Sequence, residues 1–309
     1  MRIAYYEENN YHTEIMGGFL QYAVEKSFEV TVYNSADRSS TVQYFQKFCK
    51  FDIKPHNELI NEYEMYDKII IGSSSHMKDF VDKIEKVNYN KFIFVCHVAS
   101  DINPNYKNVI VLTPLNRKIS RIGYMLPIHS FIDDVSTDKK NVLTVIGRFV
   151  SRDTNDLIRL ITTCSHFDFV VHTFFRLQKF VPDVLINLSK KYPDKLKIFV
   201  NTKSVAMDTY LKNSKFILPL AMRRGWYHKD HLSGSIALAY NYNIPLIMDT
   251  VLQKIYSIEP CIAYTKSIVE VIEKVTTMRE DQYQTLVADF IKSKMNIINL
   301  NNKLLDKII

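Results

Sequence analysis

The chain has 309 residues, of which 47% are hydrophobic and 24% are charged, and its formal net charge at pH 7 is +7. At roughly 150 residues per domain, this length predicts two domains, and the composition excludes a disordered or fibrous chain. The four cysteines form no CxxC pair, which argues against a zinc site or a disulfide framework, and no run approaches the ~18 consecutive apolar residues of a membrane span.

The first part of the chain alternates short apolar runs with helix-like stretches, a pattern typical of a parallel sheet covered by helices. The expected strands are 3–7, 28–35, 67–75, 92–100 and 108–115, and the expected helices are 17–26, 41–49 and 77–87. Ligands of open α/β sheets bind beyond the carboxyl ends of the strands. Residues 72–76 and 97–101 therefore attract attention as candidate site segments.

The pattern breaks between Leu126 and Lys140, where a proline, paired aspartates and a polar stretch precede a new strand. We place the domain boundary here. The sequence predicts an N-terminal domain over 1–132, a second domain over 133–285 and a C-terminal helix over 286–309 that packs back on the first domain.

The second part repeats the alternation of strands and helices. The expected strands are 141–149, 167–174, 197–201, 216–220 and 244–249, and the expected helices are 153–163, 182–192, 206–213, 234–243, 267–278 and 280–305. This is again the pattern of a doubly wound α/β domain. The predicted fold class is therefore α/β, with two Rossmann-like domains and a helical C-terminal segment.

The N-terminus and the charge distribution bear on location and partners. The N-terminal segment MRIAYYEENN lacks the layout of a signal peptide, so a cytoplasmic location is expected. Lysine and arginine are dispersed rather than gathered in a basic arm or stripe, so we interpret the charge as solvated surface and predict no nucleic-acid partner. The sequence does not indicate an oligomeric state.

Three segments together resemble the GT-B glycosyltransferases, especially the large retaining family whose nucleotide-sugar donor binds the C-terminal lobe. They are the glycine pair Gly17–Gly18, the segment VIGRFVSRDTNDLI at 145–158 and the segment 216–249, which ends in the strand IPLIMD. The resemblance implies two Rossmann-like domains facing across a cleft.

The first two segments imply contacts with the donor phosphates. Amides near Gly17 and Gly18 can approach an anion at a helix N-terminus, although the pair also suits a tight strand-to-helix turn. Arg148 takes the place of the family's usual arginine, and Arg152 lies close to that of its lysine. Two cations there can neutralise a diphosphate leaving group; Arg148 can instead form an interdomain ion pair.

The third segment supplies the remaining donor-site candidates. A Ser-Gly-Ser sequence opening a helix offers amides and hydroxyls to a phosphate or ribose, unless Ser233 is simply an N-cap. Trp226, the single tryptophan, can stack on a base or sugar or anchor a domain interface. The candidates assigned to donor binding here are Arg223, His228, Lys229, Asp230, Ser233, Gly234 and Ser235.

The chain departs from this family at one site. Retaining members usually carry two glutamates eight positions apart; counting back from Pro245 places Asp230 at the first position and Leu238 at the second. The second carboxylate, which holds ribose hydroxyls in the family, is thus replaced by a residue suited to a core.

The resemblance also implies where an acceptor would be activated. Inverting GT-B enzymes take a base from the first lobe, and His97 and Asp101, at the end of an apolar strand, are the candidate catalytic residues because imidazole titrates near neutral pH. A histidine at a strand end can also be structural. GT-B enzymes generally need no metal, and no HExxH motif is present, so no metal ligand and no cofactor are predicted.

The working hypothesis is therefore a metal-independent glycosyltransferase of the hexosyltransferase type. It would move a sugar from a nucleotide-sugar donor to a glycan or another hydroxyl acceptor. The alternatives are a catalytically inactive GT-B-like module that binds a nucleotide or glycan, or another enzyme on the same fold, such as an epimerase or phosphorylase.

Overall fold

A computed structural model describes residues 1–8, 15–35, 39–73, 88–98, 102–114, 122–132, 139–147, 149–164, 168–175, 177–202, 204–222, 225–229 and 231–309. The chain forms two compact units. Unit 1 comprises Met1–Phe131, Asp230–Leu232 and Asn296–Ile309, and unit 2 comprises Ile132–Lys229 and Ser233–Met295.

Unit 1 contains a sheet of seven parallel strands in the order β3-β2-β1-β4-β5-β6-β7. The strands are β1 Arg2–Glu7, β2 Glu29–Asn34, β3 Asp52–Pro55, β4 Lys68–Ile71, β5 Phe92–Cys96, β6 Asn108–Val111 and β7 Ile122–Tyr124. The strand order reverses between β1 and β4, whose registers align Ile3 with Lys68. This is the topological switch point of a doubly wound sheet.

The predicted strands of unit 1 are all present, and the structure adds the two edge strands, β3 and β7. The sequence of β3, DIKP, is polar and ends in proline, and β7 is only three residues long and half-buried. Neither has the long apolar run that marks β5, which is buried throughout. Edge strands of this kind lack the sequence signal of a central parallel strand.

Apolar residues cover both faces of the sheet in unit 1. Successive side chains of β1 point to opposite faces, so Ile3 and Tyr5 join one buried cluster while Ala4 and Tyr6 join another. The helices of this unit are α1 Met16–Glu25, α2 Ser39–Phe45 and α3 Leu59–Glu62, with short 3-10 helices at His56–Glu58 and Tyr63–Met65. The predicted helix 77–87 lies outside the described residues.

Unit 2 is built on a parallel sheet in the order β10-β9-β8-β11 and a parallel pair, β12-β13. The strands are β8 Lys140–Ile146, β9 Val170–Phe175, β10 Leu196–Val200, β11 Ser214–Ile217, β12 Ile247–Asp249 and β13 Ile262–Tyr264. A parallel bridge between Ile217 and Leu246 extends the order across β11 to the segment that enters β12. Its switch point lies between β8 and β11.

The helices of unit 2 are α4 Thr154–Thr163, α5 Asp183–Lys191, α6 Ser204–Lys212, α7 Gly234–Asn241, α8 Thr250–Tyr256 and α9 Val269–Thr276, with 3-10 helices at Phe149–Ser151, Gln178–Phe180 and Trp226–His228. They follow the predicted alternation except for α8, which, like the strand β13, was not predicted. The core of the unit includes Leu143 of β8, Leu160 of α4 and Phe216 of β11, all fully buried.

The final helix, α10 Glu280–Ile308, is 29 residues long. Its first part contributes Tyr283 and Val287 to the core of unit 2, and its last turns contribute Leu305 to a core cluster of unit 1. Asn301 Nδ2 donates to the carbonyl of Leu126 over 2.7 Å. None of the described helices is both long and apolar enough to cross a membrane.

Candidate functional site

The switch point of unit 2 is organised around one arginine. Arg152 follows β8 through a 3-10 turn, and its guanidinium donates from Nη2 to the carbonyl of Ile146, at the end of β8, over 2.7 Å. Nη1 donates to the carbonyl of Pro219, just beyond β11, and to Oγ of Ser233 over 3.0 Å. Arg152 therefore connects the carboxyl ends of the two strands between which the strand order reverses.

The charge of Arg152 has no described counter-ion. The side chain is only 2% exposed, and burial lowers the pKa of its guanidinium, with the Tyr227 hydroxyl as an opposing influence and no described carboxylate contributing. Its carbon Cζ lies 4.8 Å from the centroid of the Tyr227 ring, and within the described part of the chain nothing accepts from Nε. A buried cation with neutral partners favours an anionic ligand.

Gly147 makes room for this guanidinium. Its φ is +118°, a conformation that favours glycine, and a Cβ at this position would overlap Nη2 of Arg152. The loop after β8 is thus shaped so that the arginine can fold back against the strand end.

The Ser-Gly-Ser segment lies beside Arg152. Ser233 is at the N-cap position of α7, but its side chain makes no capping hydrogen bond. Its hydroxyl instead contacts Arg152 and Oγ of Ser235, the latter over 2.7 Å. The first amides of α7, from Gly234 onward, therefore lack a cap from this side chain, and uncapped amides at a helix N-terminus attract anions.

The other described candidates of this region have different surroundings. His228 Nε2 lies 3.1 Å from both carboxylate oxygens of Asp249, and Asp249 also caps α8 by accepting from the amides of Val251 and Leu252. His228 is therefore fixed to the end of β12. Lys229 is exposed, and Trp226 is 54% exposed. Direct contact of these three residues with a nucleotide-sugar stays a prediction.

Four predicted site residues, Arg148, Arg223, Asp230 and Asp101, lie outside the described residues.

The glycine pair lies in the first turn of α1 rather than in a loop before it, and both glycines are buried. A Cβ on Gly17 would overlap the ring of His129, and one on Gly18 would lie 3.0 Å from the carbonyl of Ile128. Their small size is thus required by packing, and a phosphate contact stays a prediction.

Polar side chains also meet at the switch point of unit 1. Glu7 ends β1, Ser73 follows β4 and His97 follows β5. Ser73 Oγ donates to Oε2 of Glu7 over 3.0 Å and lies 3.4 Å from Nε2 of His97. The same ring nitrogen lies 2.9 Å from the carbonyl of Gly72.

Sequence reasoning missed three residues that shape these two switch points, namely Glu7, Gly147 and Asp249, whereas Ser73 lies within the candidate segment 72–76. Strand-end position was an available signal for Glu7 and Asp249. Gly147 directly follows β8 in the segment 145–158, but only its positive φ explains why this position is a glycine. Among the described residues, no group of three or more His, Cys, Asp and Glu side chains is placed to hold a metal ion.

Neither a family model nor a curated protein matches this sequence. The structure, in contrast, is similar to solved glycosyltransferases. Anabaena HepE in complex with UDP and glucose superposes with a TM-score of 0.67 at 8% identity, over 99% of this chain and 99% of that chain. AviGT4, a glycosyltransferase involved in avilamycin A biosynthesis, gives 0.62 at 11% identity, over 100% and 97%.

A third similar structure is an alpha-glucosyltransferase in complex with UDP, with a TM-score of 0.60 at 12% identity, over 97% of this chain and 100% of that chain. The likeness extends over almost the whole of each protein, whereas identity is too low to relate individual residues. The fold implied by the resemblance of Gly17–Gly18, 145–158 and 216–249 is confirmed: this chain has the fold of the GT-B glycosyltransferases.

Proposed function

We propose that the chain binds a nucleotide-sugar through unit 2 and transfers its hexosyl group to a hydroxyl acceptor, without a metal requirement. The observation that carries the proposal is the uncapped start of α7 beside the buried guanidinium of Arg152. Helix amides and a guanidinium are both donors to phosphate oxygens. A diphosphate would supply the anion that Arg152 lacks among its described neighbours.

The chemistry at this end of the sheet suits a leaving diphosphate. Breaking the bond between the anomeric carbon and the phosphate oxygen leaves negative charge on the diphosphate, and fixed donors stabilise that charge because they need no reorganisation during the reaction. Arg152 is fixed by three oxygen acceptors on three separate segments. Exposed Lys229 would add a second cation at the surface.

UDP-sugars are the first donors to test. HepE was solved with UDP and glucose, and an alpha-glucosyltransferase of the same fold was solved with UDP. This choice is carried over from proteins of 8% and 12% identity. The binding of UDP-sugars is therefore measured on this chain directly and compared with the binding of ADP-, GDP- and CMP-sugars.

Leu238 favours a second candidate function, a module that binds a nucleotide or glycan without turnover. It occupies the position where the resemblance implies the second carboxylate, and it is half-buried on α7. A leucine cannot accept hydrogen bonds from ribose hydroxyls. The two functions differ in turnover and not in binding.

Binding is tested by calorimetry and thermal melting with UDP and UDP-sugars. At a hundred times the Kd a ligand adds about 2.7 kcal/mol to the free energy of unfolding, and we expect the melting temperature to rise by several degrees. Arg152→Lys keeps the charge but loses the planar fork, so we expect at least a tenfold weaker Kd. The matched control is Arg159→Lys, which changes an exposed arginine on α4.

Equal affinity of folded Arg152→Lys and Arg159→Lys would contradict the assignment of the site. A second pair, Lys229→Ala and its control Lys254→Ala, tests the exposed cation in the same way. Release of sugar or its transfer to an acceptor, measured with and without EDTA, then separates a metal-independent transferase from the binding module. Tight binding with no turnover on any acceptor supports the module.

A further inference from the structure

Three exposed apolar side chains follow β9 in unit 2. Leu177 and Phe180 belong to the turn after the strand, and Val184 lies in the first turn of α5. Their exposed fractions are 42%, 50% and 46%. A single exposed apolar side chain is ordinary in a folded protein, but several that follow one another in one short segment are typical of an interaction surface.

The segment that carries these side chains is packed on the core. Val181 and Leu185, which alternate with the exposed residues, belong to the buried cluster of unit 2. The amide of Phe180 donates to the carbonyl of Leu177 over 3.0 Å and closes the turn. The exposed apolar side chains are therefore presented from a hydrogen-bonded base that the core holds in place.

Lysines accompany the apolar side chains. Nζ of Lys179 lies 5.4 Å from the centroid of the Phe180 ring, and residues 177–200 contain five lysines against two aspartates. Lys179, Lys190 and Lys191 are exposed. Within the described part of the chain, every ion pair is formed by other side chains. The positive charge of this segment is thus left for a partner outside the chain.

The helix α5 places both kinds of side chain on one exposed face. Val184, Asn187 and Lys191 are exposed and follow one another at spacings of three and four residues, which is one face of a helix. Leu185 and Leu188 face the core instead. Lys191 lies two turns beyond Val184, about 10 Å along the axis. The exposed face therefore has an apolar end and a basic end.

We propose that unit 2 docks on an anionic lipid bilayer through one surface, the α5 surface, formed by Leu177, Lys179, Phe180, Val184, Lys190 and Lys191. The apolar side chains insert at the level of the headgroups, and the lysines contact lipid phosphates. This inference goes beyond the proposed function, because it involves neither a nucleotide-sugar nor the residues around Arg152.

The combination of side chains favours a bilayer over other partners of a basic surface. Single-stranded nucleic acid is bound by cations together with aromatic rings that stack on bases, and Leu177 and Val184 cannot stack in this way. A second copy of the chain would bring like charges together. A bilayer accommodates both features, since apolar side chains enter its interface while lysine ammonium groups stay among the phosphates.

Vesicle sedimentation tests the apolar part of the α5 surface. We expect the full chain to bind vesicles of phosphatidylcholine and phosphatidylglycerol, and to bind pure phosphatidylcholine vesicles much more weakly. In the double variant Leu177→Ser with Phe180→Ser we expect binding to fall by about tenfold, because less apolar surface leaves water. The matched control is Met65→Ser with Leu300→Ser, at side chains that are 49% and 64% exposed elsewhere.

The proposal is overturned if the full chain does not bind the mixed vesicles, or if the two double variants bind them equally. Thermal melts of each variant establish that it is folded before its binding is compared. These measurements use no nucleotide, so failure of the docking proposal and failure of the proposed function are distinguishable.

A second test addresses the lysines. Each lysine near an anionic leaflet strengthens binding roughly fivefold, so we expect the variant Lys190→Gln with Lys191→Gln to bind the mixed vesicles about 25-fold more weakly. The control Lys254→Gln with Lys274→Gln removes the same charge from exposed positions on α8 and α9 and should change binding little. Equal losses in both variants would mean that only net charge matters, and would contradict the α5 surface.

A third test distinguishes insertion from attraction by charge alone. In a chain that carries Trp226→Phe, Phe180→Trp places the single tryptophan in the α5 surface, and we expect its emission to shift to the blue on mixed vesicles. Val251→Trp in the same background, at a side chain that is 55% exposed on α8, should show no shift. Unchanged emission from Phe180→Trp would overturn the proposal. Tighter binding of a single-stranded oligonucleotide than of vesicles would overturn it in favour of nucleic acid.

Discussion

The guanidinium of Arg152 donates a hydrogen bond of 3.0 Å to Oγ of Ser233, a residue 81 positions further along the sequence. Ser233 occupies the N-cap position of α7, yet its hydroxyl is used by a buried cation and not by the helix amides. Together Arg152 and α7 place a buried cation beside a helix start that lacks a side-chain cap, and the proposed donor site rests on this arrangement.

Gly147→Ala tests the space that this arrangement needs. A Cβ would overlap Nη2 of Arg152 and would force a residue with φ of +118° into strain. We expect the free energy of unfolding to fall by roughly 2 to 4 kcal/mol, together with weaker binding of UDP-sugars. Denaturant melts and calorimetry measure both, and a variant that melts and binds like the parent chain would show that the guanidinium has room to move.

The pair His228 and Asp249 is expected to couple the loop after β11 to the start of α8. Asp249→Ala removes a helix cap and the partner of a buried imidazole, so we expect a loss of about 2 kcal/mol. Asp249→Asn keeps an acceptor for the amides and should cost less. A double-mutant cycle with His228→Phe should give a coupling energy of about 1 kcal/mol; additive effects would refute the coupling.

His172 on β9 should make the chain sensitive to acid. Burial, followed by the charges of Lys197 and Lys140, lowers the pKa of His172 to about 4, against about 6.5 in an unfolded chain. Between these values the unfolded state binds more protons, so the free energy of unfolding falls as pH drops from 6.5 toward 4. The full contribution is present above pH 6.5.

We expect His172→Phe to remove about 2 to 3 kcal/mol of this acid-dependent loss. Phenylalanine suits the site because His172 packs against Phe199 at a centroid distance of 5.0 Å and no described residue bonds to its Nδ1. Urea melts at pH 7 and pH 4.5 provide the measurement. If the parent chain and the variant lose equal stability between these two values, the assignment to His172 is wrong.

The variant Asn301→Ala tests how much one buried hydrogen bond of α10 contributes to the stability of unit 1. Its side chain is buried and donates to the carbonyl of Leu126 over 2.7 Å, and Asn301→Ala leaves that carbonyl without this donor. We expect a loss of about 1 to 2 kcal/mol in the free energy of unfolding. Asn299→Ala, at an exposed position of the same helix, is the matched control and should change stability by less than about 0.5 kcal/mol.

Much of the architecture was predictable because it depends on local pattern. The buried strands β4, β5 and β8 are runs of isoleucine, valine, leucine and phenylalanine, and the helices between strands carry helical periodicity. The fold was predicted from this alternation and from the resemblance of residues 145–158 and 216–249 to the GT-B glycosyltransferases. The edge strands β3 and β7 were not predicted because they are short and lack an apolar run.

The sequence by itself determined the fold class, the succession of elements and the segments in which polar residues follow strands. Only the tertiary structure decided which of those residues meet. Arg152 and Ser233, like Glu7, Ser73 and His97, come together because parallel strands distant in sequence end at the same edge of a sheet. Hydrogen-bond partners and burial depend on that strand order, which no local pattern of residues encodes.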